Sequence, residues 1–357
     1  MSDQRDKSST KKSITAHDVA QLAGVSQSAV SRHFTPGASV SAKTREKIAK
    51  AAEQLGYRPN LIARSLITKK SNLIGIVLPL NTNPYYQSIL EHLSHALATH
   101  GYRILLFTNP AGHDSDELIE EILHYPLDGL ILVAVNLASH LADECQQNGL
   151  PVVMMTRKTE SNLISSITGD NLHAAETIAA FLVAGQHQHF AFMAGEPQSS
   201  TSRDREQAFF NFLSKSGIHD IQKVIGHYQH ESACIAARAL FSSATVPDAI
   251  FCANDQMALA TLDIARSEFG LVAGKDVSII GFDDNYLASW GAFELTTYSQ
   301  PVTAMVAQAI ELLLAQIEKT LQAPQHLTVS GELIIRSSAR RPKHGIIQKK
   351  HYLIWES

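Results

Sequence analysis

The chain has 357 residues, of which 45% are hydrophobic and 18% are charged, and these values are typical of globular proteins. The chain is too long to form one average hydrophobic core, and its length favours a small domain joined to a larger body of one or two lobes. Three widely spaced cysteines argue against a disulfide framework and a thiolate zinc site. The polar start and the shortness of every apolar run predict neither secretion nor membrane insertion, so we expect a cytoplasmic protein.

The net charge of −4 is unevenly distributed. Residues 1–70 contain 13 Lys and Arg against 5 Asp and Glu, so this segment has a charge of +8 and the remainder has −12. A basic segment attracts polyanions, whereas an acidic body is repelled by them. The distribution therefore indicates nucleic-acid binding by the N-terminal end.

The first predicted elements are two short helices separated by a tight turn. Thr15 and Asp18 have the spacing of a capping box, Gly24 permits a sharp turn, and Ser26 can cap the second helix. This spacing is typical of a helix-turn-helix, whose second helix enters the DNA major groove. The apolar face of the first helix is predicted to consist of Val19, Ala20, Leu22 and Ala23.

The second helix would present polar side chains to DNA. The Gln27 amide is suited to hydrogen bonding with adenine, and the forked Arg32 guanidinium is suited to guanine. The short Ser28 side chain can contact different bases. The alternative, a solvated amphipathic helix, fits the spacing less well. A third helix is expected between Ser41 and Gly56, with basic residues that bind phosphates or add solubility. The predicted DNA-contacting residues of this domain are Thr15, Ser26, Gln27, Ser28, Ser31 and Arg32.

A short fourth helix is predicted after Pro59, with Asn60 as its cap. It is too short to be stable alone, so we expect it to fold only when paired with a second copy on DNA. Leu66 would then act as an apolar wedge in the minor groove.

After residue 71 the sequence alternates between strand-like and helix-like segments. Buried strands are predicted at 73–79, 104–107, 129–133, 152–155, 190–193, 249–252 and 277–282, with a last strand at 327–336. This order is typical of doubly wound α/β lobes, whose ligands bind beyond the carboxyl ends of the strands.

Polar and aromatic residues follow these strands and predict a cleft between lobes. Tyrosines can stack on a sugar ring or a base, arginines can bind hydroxyl or carboxylate oxygens, and Asp and Asn suit hydroxyls. A polyhydroxylated ligand is therefore expected. The residues concerned are Asn83, Tyr85, Tyr86, Thr156, Arg157, Arg203, Arg205, Asn254, Asp255, Asp283 and Asp284.

Several motifs together resemble the lactose-repressor (LacI/GalR) family of bacterial transcription regulators. The resemblance implies an all-α helix-turn-helix DNA-binding domain followed by an α/β two-lobed periplasmic-binding-protein-like effector domain. Family members bind palindromic operators as dimers, so a homodimer is expected. The motifs lie at residues 18–26, 30–32, 40–41, 55–66, 83–86, 253–258, 281–284 and 295–297.

The resemblance also assigns residues to roles. It implies that Gln27 and Ser28 discriminate between operators, that Arg32 contacts a base, and that Leu66 opens the central base step. Asn60 and Ala63 join Leu66 in the expected DNA contacts of the hinge helix. With Thr156 from the cleft pattern, the expected effector-binding residues are Tyr85, Tyr86, Thr156, Arg205, Tyr228, Asn254, Asp283 and Gln300.

The cleft departs from the family pattern at two positions. Thr156 and Arg157 stand where relatives often have an acidic residue, and Ala208 replaces a common glycine. Arg157, Arg203 and Arg205 near one cleft favour an anionic ligand, a sugar acid or a sugar phosphate, although a neutral sugar stays open. Two simpler interpretations also stay open, an ion pair between Asp283 and Arg205 and a surface position for Tyr228.

The predicted function is a sequence-specific transcription regulator whose operator affinity is controlled allosterically by the ligand in the cleft. Repression is the commoner outcome that the resemblance implies, and activation at some promoters stays open. An enzyme is the main alternative, but the chain lacks the glycine-rich phosphate motifs and a nucleophile elbow. A transport-associated sugar-binding protein would need a secretion signal. We expect no catalytic residues, no cofactor and no metal site, since His187 and His189 have no third ligand in view.

The predicted domain boundaries follow from these elements. The effector domain would span residues 72–342, with lobe 1 at about 72–168 and 300–325 and lobe 2 at about 169–299 and 326–342. The other segments are a disordered tail at 1–13, the helix-turn-helix domain at 14–58, the hinge helix and linker at 59–71, and a tail without heptad repeats at 343–357.

Overall fold

The computed structural model describes residues 14–35, 37–58, 70–80, 83–110, 115–135, 144–158, 163–321 and 323–356. Contacts divide the chain into two compact units, one before and one after the boundary between Ser71 and Asn72. The expectations for Asn60, Ala63 and Leu66 lie outside the described residues.

The described residues of the first unit form three helices around a small apolar core. They are α1 (Ala16–Ala23), α2 (Gln27–His33) and α3 (Ala42–Leu55). Val19, Val30 and Ile48, one from each helix, are fully buried and pack together. α1 and α2 have about two turns each and would not be stable alone. Packing against the shared core stabilises them.

The ends of these helices form as predicted. Thr15 accepts a hydrogen bond from the Asp18 backbone, and the Asp18 carboxylate accepts one from the Thr15 backbone, which completes the capping box. Gly24 ends α1 in the left-handed conformation, with φ of 64°. The prediction for Leu22 is wrong: its side chain is 46% exposed, because Val19, Ala20 and Ala23 already fill the face toward α3.

The second unit contains two sheets. The first has six strands, all parallel, in the order β11-β5-β4-β3-β1-β2. Alternate residues of β1 pack on opposite faces, which is why the strand is apolar throughout. Its strands are β1 (Leu73–Leu80), β2 (Arg103–Pro110), β3 (Gly129–Val133), β4 (Val152–Met155), β5 (Ser165–Gly169) and β11 (His326–Val329).

The second sheet has eight strands in the order β13-β14-β12-β10-β9-β8-β6-β7, parallel from β10 to β7 and antiparallel at the other end. Its strands are β6 (Phe190–Ala194), β7 (Ile221–Ile225), β8 (Ala249–Cys252), β9 (Ser278–Asp283), β10 (Thr296–Ser299), β12 (Glu332–Ile335), β13 (Ile346–Lys349) and β14 (Tyr352–Trp355).

Helices cover the faces of both sheets. In the first lobe these are α4 (Pro84–Thr99), α5 (Ser115–Ile122) and α10 (Val302–Ile317). In the second lobe they are α6 (Asn171–Ala184), α7 (Ser200–Lys215), α8 (His230–Phe241) and α9 (Asp255–Phe269), with a 3-10 turn at Tyr286–Ser289. Among the described residues, no helix has the length and apolar character needed to cross a membrane.

The chain passes between the lobes three times. The first two passages follow β5 and β10, near Gly169 and Pro301 as the sequence suggests. The single last strand predicted at 327–336 is wrong, because the structure has β11 in the first sheet and β12 in the second. The third passage lies between them, where a Cβ at Gly331 would collide with the Ser299 carbonyl oxygen. Residues 326–329 therefore belong to lobe 1.

The C-terminal tail is part of the second sheet. β13 and β14 form a hairpin whose second strand pairs with β12. Trp355 is buried, lies edge-on to Phe181 at 5.8 Å between ring centroids, and donates its indole N–H to the His344 carbonyl at 3.1 Å. The tail, to which the sequence assigned no role, thus completes the core of the second lobe.

Candidate functional site

In the first unit, α2 exposes a row of polar side chains. Gln27, Ser28, Ser31 and Arg32 are all exposed, while Val30 on the opposite face is buried. The Arg32 Nε donates to the Ser28 carbonyl at 3.3 Å, which directs the guanidinium back along the helix. Amide, hydroxyl and guanidinium groups on one exposed face suit hydrogen bonding to base edges.

In the second unit, the predicted cleft residues line one small cavity of about 30 Å³. Residues at the carboxyl ends of strands from both sheets meet there, as parallel sheets require. The eight expected residues are joined by four others, so the lining consists of Asn83, Tyr85, Tyr86, Ala134, Thr156, Arg157, Thr201, Arg205, Tyr228, Asn254, Asp283 and Gln300.

Asp283 links the two lobes at the end of β9. Its Oδ1 accepts a hydrogen bond of 2.7 Å from Gln300, and its Oδ2 accepts one of 3.5 Å from Asn83 of the first lobe. Burial raises the pKa of Asp283 to about 6, although the positive charge of Arg205 opposes the rise. Both carboxylate oxygens face the cavity lining, where a ligand hydroxyl can donate to them.

Arg205 lies on α7, and three contacts with other parts of the second lobe fix its side chain. Its Nε donates to Asn171 Oδ1 at 2.8 Å, its Nη1 donates to the Ala253 carbonyl, and its guanidinium carbon lies 3.4 Å from the centre of the Phe282 ring. The side chain is 4% exposed. A guanidinium held this rigidly loses little entropy when it binds a ligand.

Four lining residues have backbone conformations that side chains rarely adopt. Ala134, Thr156 and Tyr228 have φ of 56°, 65° and 56°, and Asp283 has φ of 134°. Each such residue costs on the order of 1–3 kcal/mol, and strain of this kind concentrates at functional sites. The accumulation of four around one cavity supports its assignment as the binding site.

Three hydroxyl groups of the lining are buried without a hydrogen-bond partner among the described residues. They are Tyr85 Oη, Thr156 Oγ1 and Tyr228 Oη. Buried polar groups are almost always paired in native proteins, so each exception needs an explanation. The Tyr228 ring also lies against Gly195, where a Cβ would overlap it. These hydroxyls are suited to a polar ligand.

A second carboxyl group lies behind the cavity. Asp255 is fully buried and accepts hydrogen bonds from Thr297 Oγ1 at 2.5 Å and from the Asn285 backbone at 2.8 Å. Burial, and then the negative charge of Asp283, raise the pKa of Asp255 to about 8. Burial therefore favours the protonated, neutral form of Asp255.

The structure separates the three arginines proposed for the cleft. Arg157 and Arg205 line the cavity, but the placement of Arg203 there is wrong: it is exposed and donates to the carbonyls of Pro197 and Gln198. Residues two positions apart on a helix point to nearly opposite sides, so Arg203 faces solvent while Arg205 faces the cavity.

Two cavity residues were missed by sequence reasoning. Thr201 lies in the first turn of α7, and Ala134 follows β3. The run of hydroxyl residues at 199–202, which follows β6 after a four-residue loop, was an available signal for Thr201. Ala134 carries no such signal, because its place depends on a left-handed backbone.

Comparisons with known proteins agree with this architecture. Residues 15–60 match the family described as bacterial regulatory proteins, lacI family, and residues 179–339 match a periplasmic binding protein-like domain. The chain thus combines a helix-turn-helix DNA-binding unit with a two-lobed ligand-binding unit, the arrangement of a ligand-responsive transcription regulator.

The similarity extends over nearly the whole chain. Catabolite control protein A of Priestia megaterium is 30% identical over 310 residues, which are 86% of this chain and 93% of that protein. The lac repressor dimer bound to operator and the anti-inducer ONPF has a TM-score of 0.83 at 27% identity, covering 92% of this chain and all of that one. A CelR-cellobiose complex has a TM-score of 0.69 at 26% identity, over 91% of this chain and all of that one. This chain belongs to the lacI family of bacterial regulatory proteins.

Proposed function

We propose that the protein is a repressor whose affinity for a palindromic operator is set by a small polyhydroxylated effector bound between its two lobes. The observation that carries the proposal is the cavity, in which a rigid arginine and three buried hydroxyls without a partner in the described part of the chain surround an interlobe carboxylate. The solved relatives support it, since one is a lac repressor bound to operator and another is a CelR complex with cellobiose.

On the DNA side, Gln27, Ser28 and Arg32 read base edges. Thr15 and Ser26 at the helix N-termini and Ser31 on the exposed face of α2 add further contacts. One short helix contacts few base pairs, so two copies on a palindrome supply the needed specificity. The hinge contacts assigned to Asn60, Ala63 and Leu66 belong to the same proposal. The proposal also states that the protein acts as a homodimer, that it is not an enzyme, and that it works in the cytoplasm, where the DNA lies.

On the effector side, the ligand binds Tyr85, Tyr86, Thr156, Arg205, Tyr228, Asn254, Asp283 and Gln300. Contacts already join the lobes at the cleft edge, where Lys158 Nζ of lobe 1 lies 2.9 Å from Asp204 Oδ2 of lobe 2. A ligand that bridges both lobes favours one lobe arrangement over another. A coupling of roughly 1–3 kcal/mol, the usual range, changes operator affinity by about 5–150-fold.

The test separates the two sites by substitution. An operator is selected from random DNA with the wild-type protein, and affinity is measured by fluorescence anisotropy. Arg32→Ala is expected to lower operator affinity by about 5–150-fold, because a bidentate base contact is worth roughly 1–3 kcal/mol, while ligand-induced thermal stabilisation stays unchanged. Asp283→Ala is expected to abolish the ligand-induced thermal stabilisation and to leave the operator affinity unchanged.

The control variant is Arg203→Ala, which removes the same charge from an exposed position outside both sites. It should retain operator affinity and thermal stabilisation alike. If Arg32→Ala binds the operator as tightly as this control does, the assignment of α2 as the reading helix is wrong.

A further inference from the structure

A second and larger cavity lies between the lobes beside the small one. This outer cavity has a volume of about 620 Å³ and is lined by α4 and the start of α10 from lobe 1 and by residues 283–286 of lobe 2. The inner cavity, of about 30 Å³, has room for only about two water molecules. Ligand pockets usually have about 300–1,000 Å³, so the outer cavity has the space that a ligand needs.

The two cavities share one wall. Tyr85, Asp283 and Gln300 line both of them, and Gln300 donates to Asp283 Oδ1 at 2.7 Å. A ligand in the outer cavity can therefore reach the carboxylate at the centre of the proposed effector site. In this arrangement of the lobes, only a substituent as small as a hydroxyl group fits beyond that wall.

Asn285 gives the outer cavity a hydrogen-bond donor that is held in place. Its Oδ1 accepts from the Leu287 backbone at 2.9 Å, and its backbone N–H donates to Asp255 Oδ2 at 2.8 Å. The residue is 6% exposed, and its Nδ2 is buried with no partner in the described part of the chain. Tyr85 Oη is in the same condition. Buried polar groups are almost always paired, so both atoms are suited to a ligand oxygen.

Carboxylates supply the acceptors of the outer cavity. Glu91, Asp283 and Asp284 line it, and no lysine or arginine of the described segments does. Asp284 is already paired with Arg336, which lies outside the lining, at 2.7 Å. Ligand hydroxyls can donate to carboxylates, whereas a ligand anion is repelled by them. The lining therefore favours a neutral, hydroxylated ligand.

Tyr286 adds an aromatic surface to the same cavity. Its side chain is 57% exposed, and its ring lies 5.8 Å from that of Trp290 between centroids. A tyrosine ring presents an apolar face to a sugar ring and a hydroxyl to its substituents. The outer cavity thus combines a fixed donor, several acceptors and an aromatic face, which are the groups that bind a sugar ring.

We propose that the effector is a neutral disaccharide, and that Asn285 and Tyr286 bind its second ring in the outer cavity. The first ring presents its hydroxyls to Asp283 and Gln300 on the shared wall. A single ring on that wall would leave most of the outer cavity unfilled and the Asn285 donor without a ligand acceptor. The inference rests on the proposed function, whose site it extends, and it narrows the effector from any polyhydroxylated molecule to one of two rings.

The test compares disaccharides with their component monosaccharides on the full-length protein. The probes are neutral disaccharides built from glucose, galactose, mannose, fructose and xylose. Melting temperatures and calorimetric affinities are measured for wild type, Tyr286→Ala and Asn285→Ser. The serine hydroxyl can still accept from the Leu287 backbone but lacks the amide donor. The control is Tyr352→Ala, which removes another exposed tyrosine, from the terminal hairpin.

We expect one disaccharide to bind the wild type at least about tenfold more tightly than its component monosaccharides. Tyr286→Ala and Asn285→Ser should each lose about three- to tenfold in affinity for that disaccharide, because each removes one contact with the second ring. Both should keep the wild-type affinity for the monosaccharides, which a merely structural role would not allow. Tyr352→Ala should bind every probe as the wild type does.

Three results would overturn the inference. The first is a monosaccharide that binds the wild type as tightly as every disaccharide that contains it. The second is an equal disaccharide affinity of Tyr286→Ala, Asn285→Ser and the control. The third is a wild type that responds to none of the disaccharides. If a monosaccharide binds and changes operator affinity, the proposed function stands although the inference fails, so the two failures are distinguishable.

Discussion

The two units place their functional side chains in opposite physical settings. On α2, Gln27 and Arg32 are exposed, and the core behind them is made of other residues. In the cavity, Arg205 and Asp283 are 4% and 6% exposed, and both are held by hydrogen bonds that also maintain the fold. The DNA-reading face can therefore vary with little effect on folding, whereas the effector site is built from the structure of the second unit itself.

The largest expected effect comes from removing the buried arginine. Arg205→Ala should destabilise the protein by about 3 kcal/mol, because Asn171 Oδ1 and the Ala253 carbonyl lose their donor and Asp283 loses a nearby positive charge. Arg32→Ala should leave the urea unfolding midpoint unchanged. Equal midpoints for the two variants would contradict the contrast between the units.

A smaller effect is expected at Gly195. A Cβ there overlaps the Tyr228 ring, so Gly195→Ala should move that ring, weaken effector binding and destabilise the protein by about 1–3 kcal/mol. Calorimetric titration and urea denaturation measure the two quantities. Gly291→Ala is the matched control, since nothing lies within 4 Å of its Cβ position. If both variants bind effector like wild type, Tyr228 is not part of the site.

A third expected effect is a pH dependence of stability caused by Asp255. Its pKa is raised by burial to about 8, above the ordinary value of 3.8, so folding favours the protonated form. Its contribution to stability is complete below about pH 4 and is lost as the pH rises toward 8. Asp255→Asn should flatten this part of the urea-midpoint profile.

The control for this profile is Asp263→Asn, which changes a half-exposed carboxylate on the same helix. It should keep the wild-type slope between pH 4 and 8. A wild-type profile that rises steadily over this range, and is unaltered by Asp255→Asn, would show that the group is ionised in the folded state.

The fold was predictable where hydrophobic pattern alone decides the structure. Seven predicted strands are present because continuous apolar runs such as β1 and β3 need burial on both faces. By contrast β5 and β10 were missed, since Ser165 and Thr296 are polar and become buried only through pairing with distant strands. The terminal hairpin was also missed, although Leu353, Ile354 and Trp355 of β14 are apolar.

The site was predictable where position along a strand decides it. Polar residues that follow buried strands had to meet at the carboxyl ends, and Asn254 and Asp283 do so. The direction of a helical side chain was harder, as the outward position of Arg203 shows. The burial that shifts the pKa of Asp255 depends on the whole second lobe and has no local signal.

The central claim is that the cavity controls the DNA-reading unit, and the direct test is the effector affinity measured with and without saturating operator. The ligand is the probe that stabilises the protein most, and titration calorimetry gives both dissociation constants. Linkage requires that operator and effector change each other's affinity by the same factor, which we expect to be about 5–150. An effector affinity that is identical in the presence and absence of operator would contradict the account.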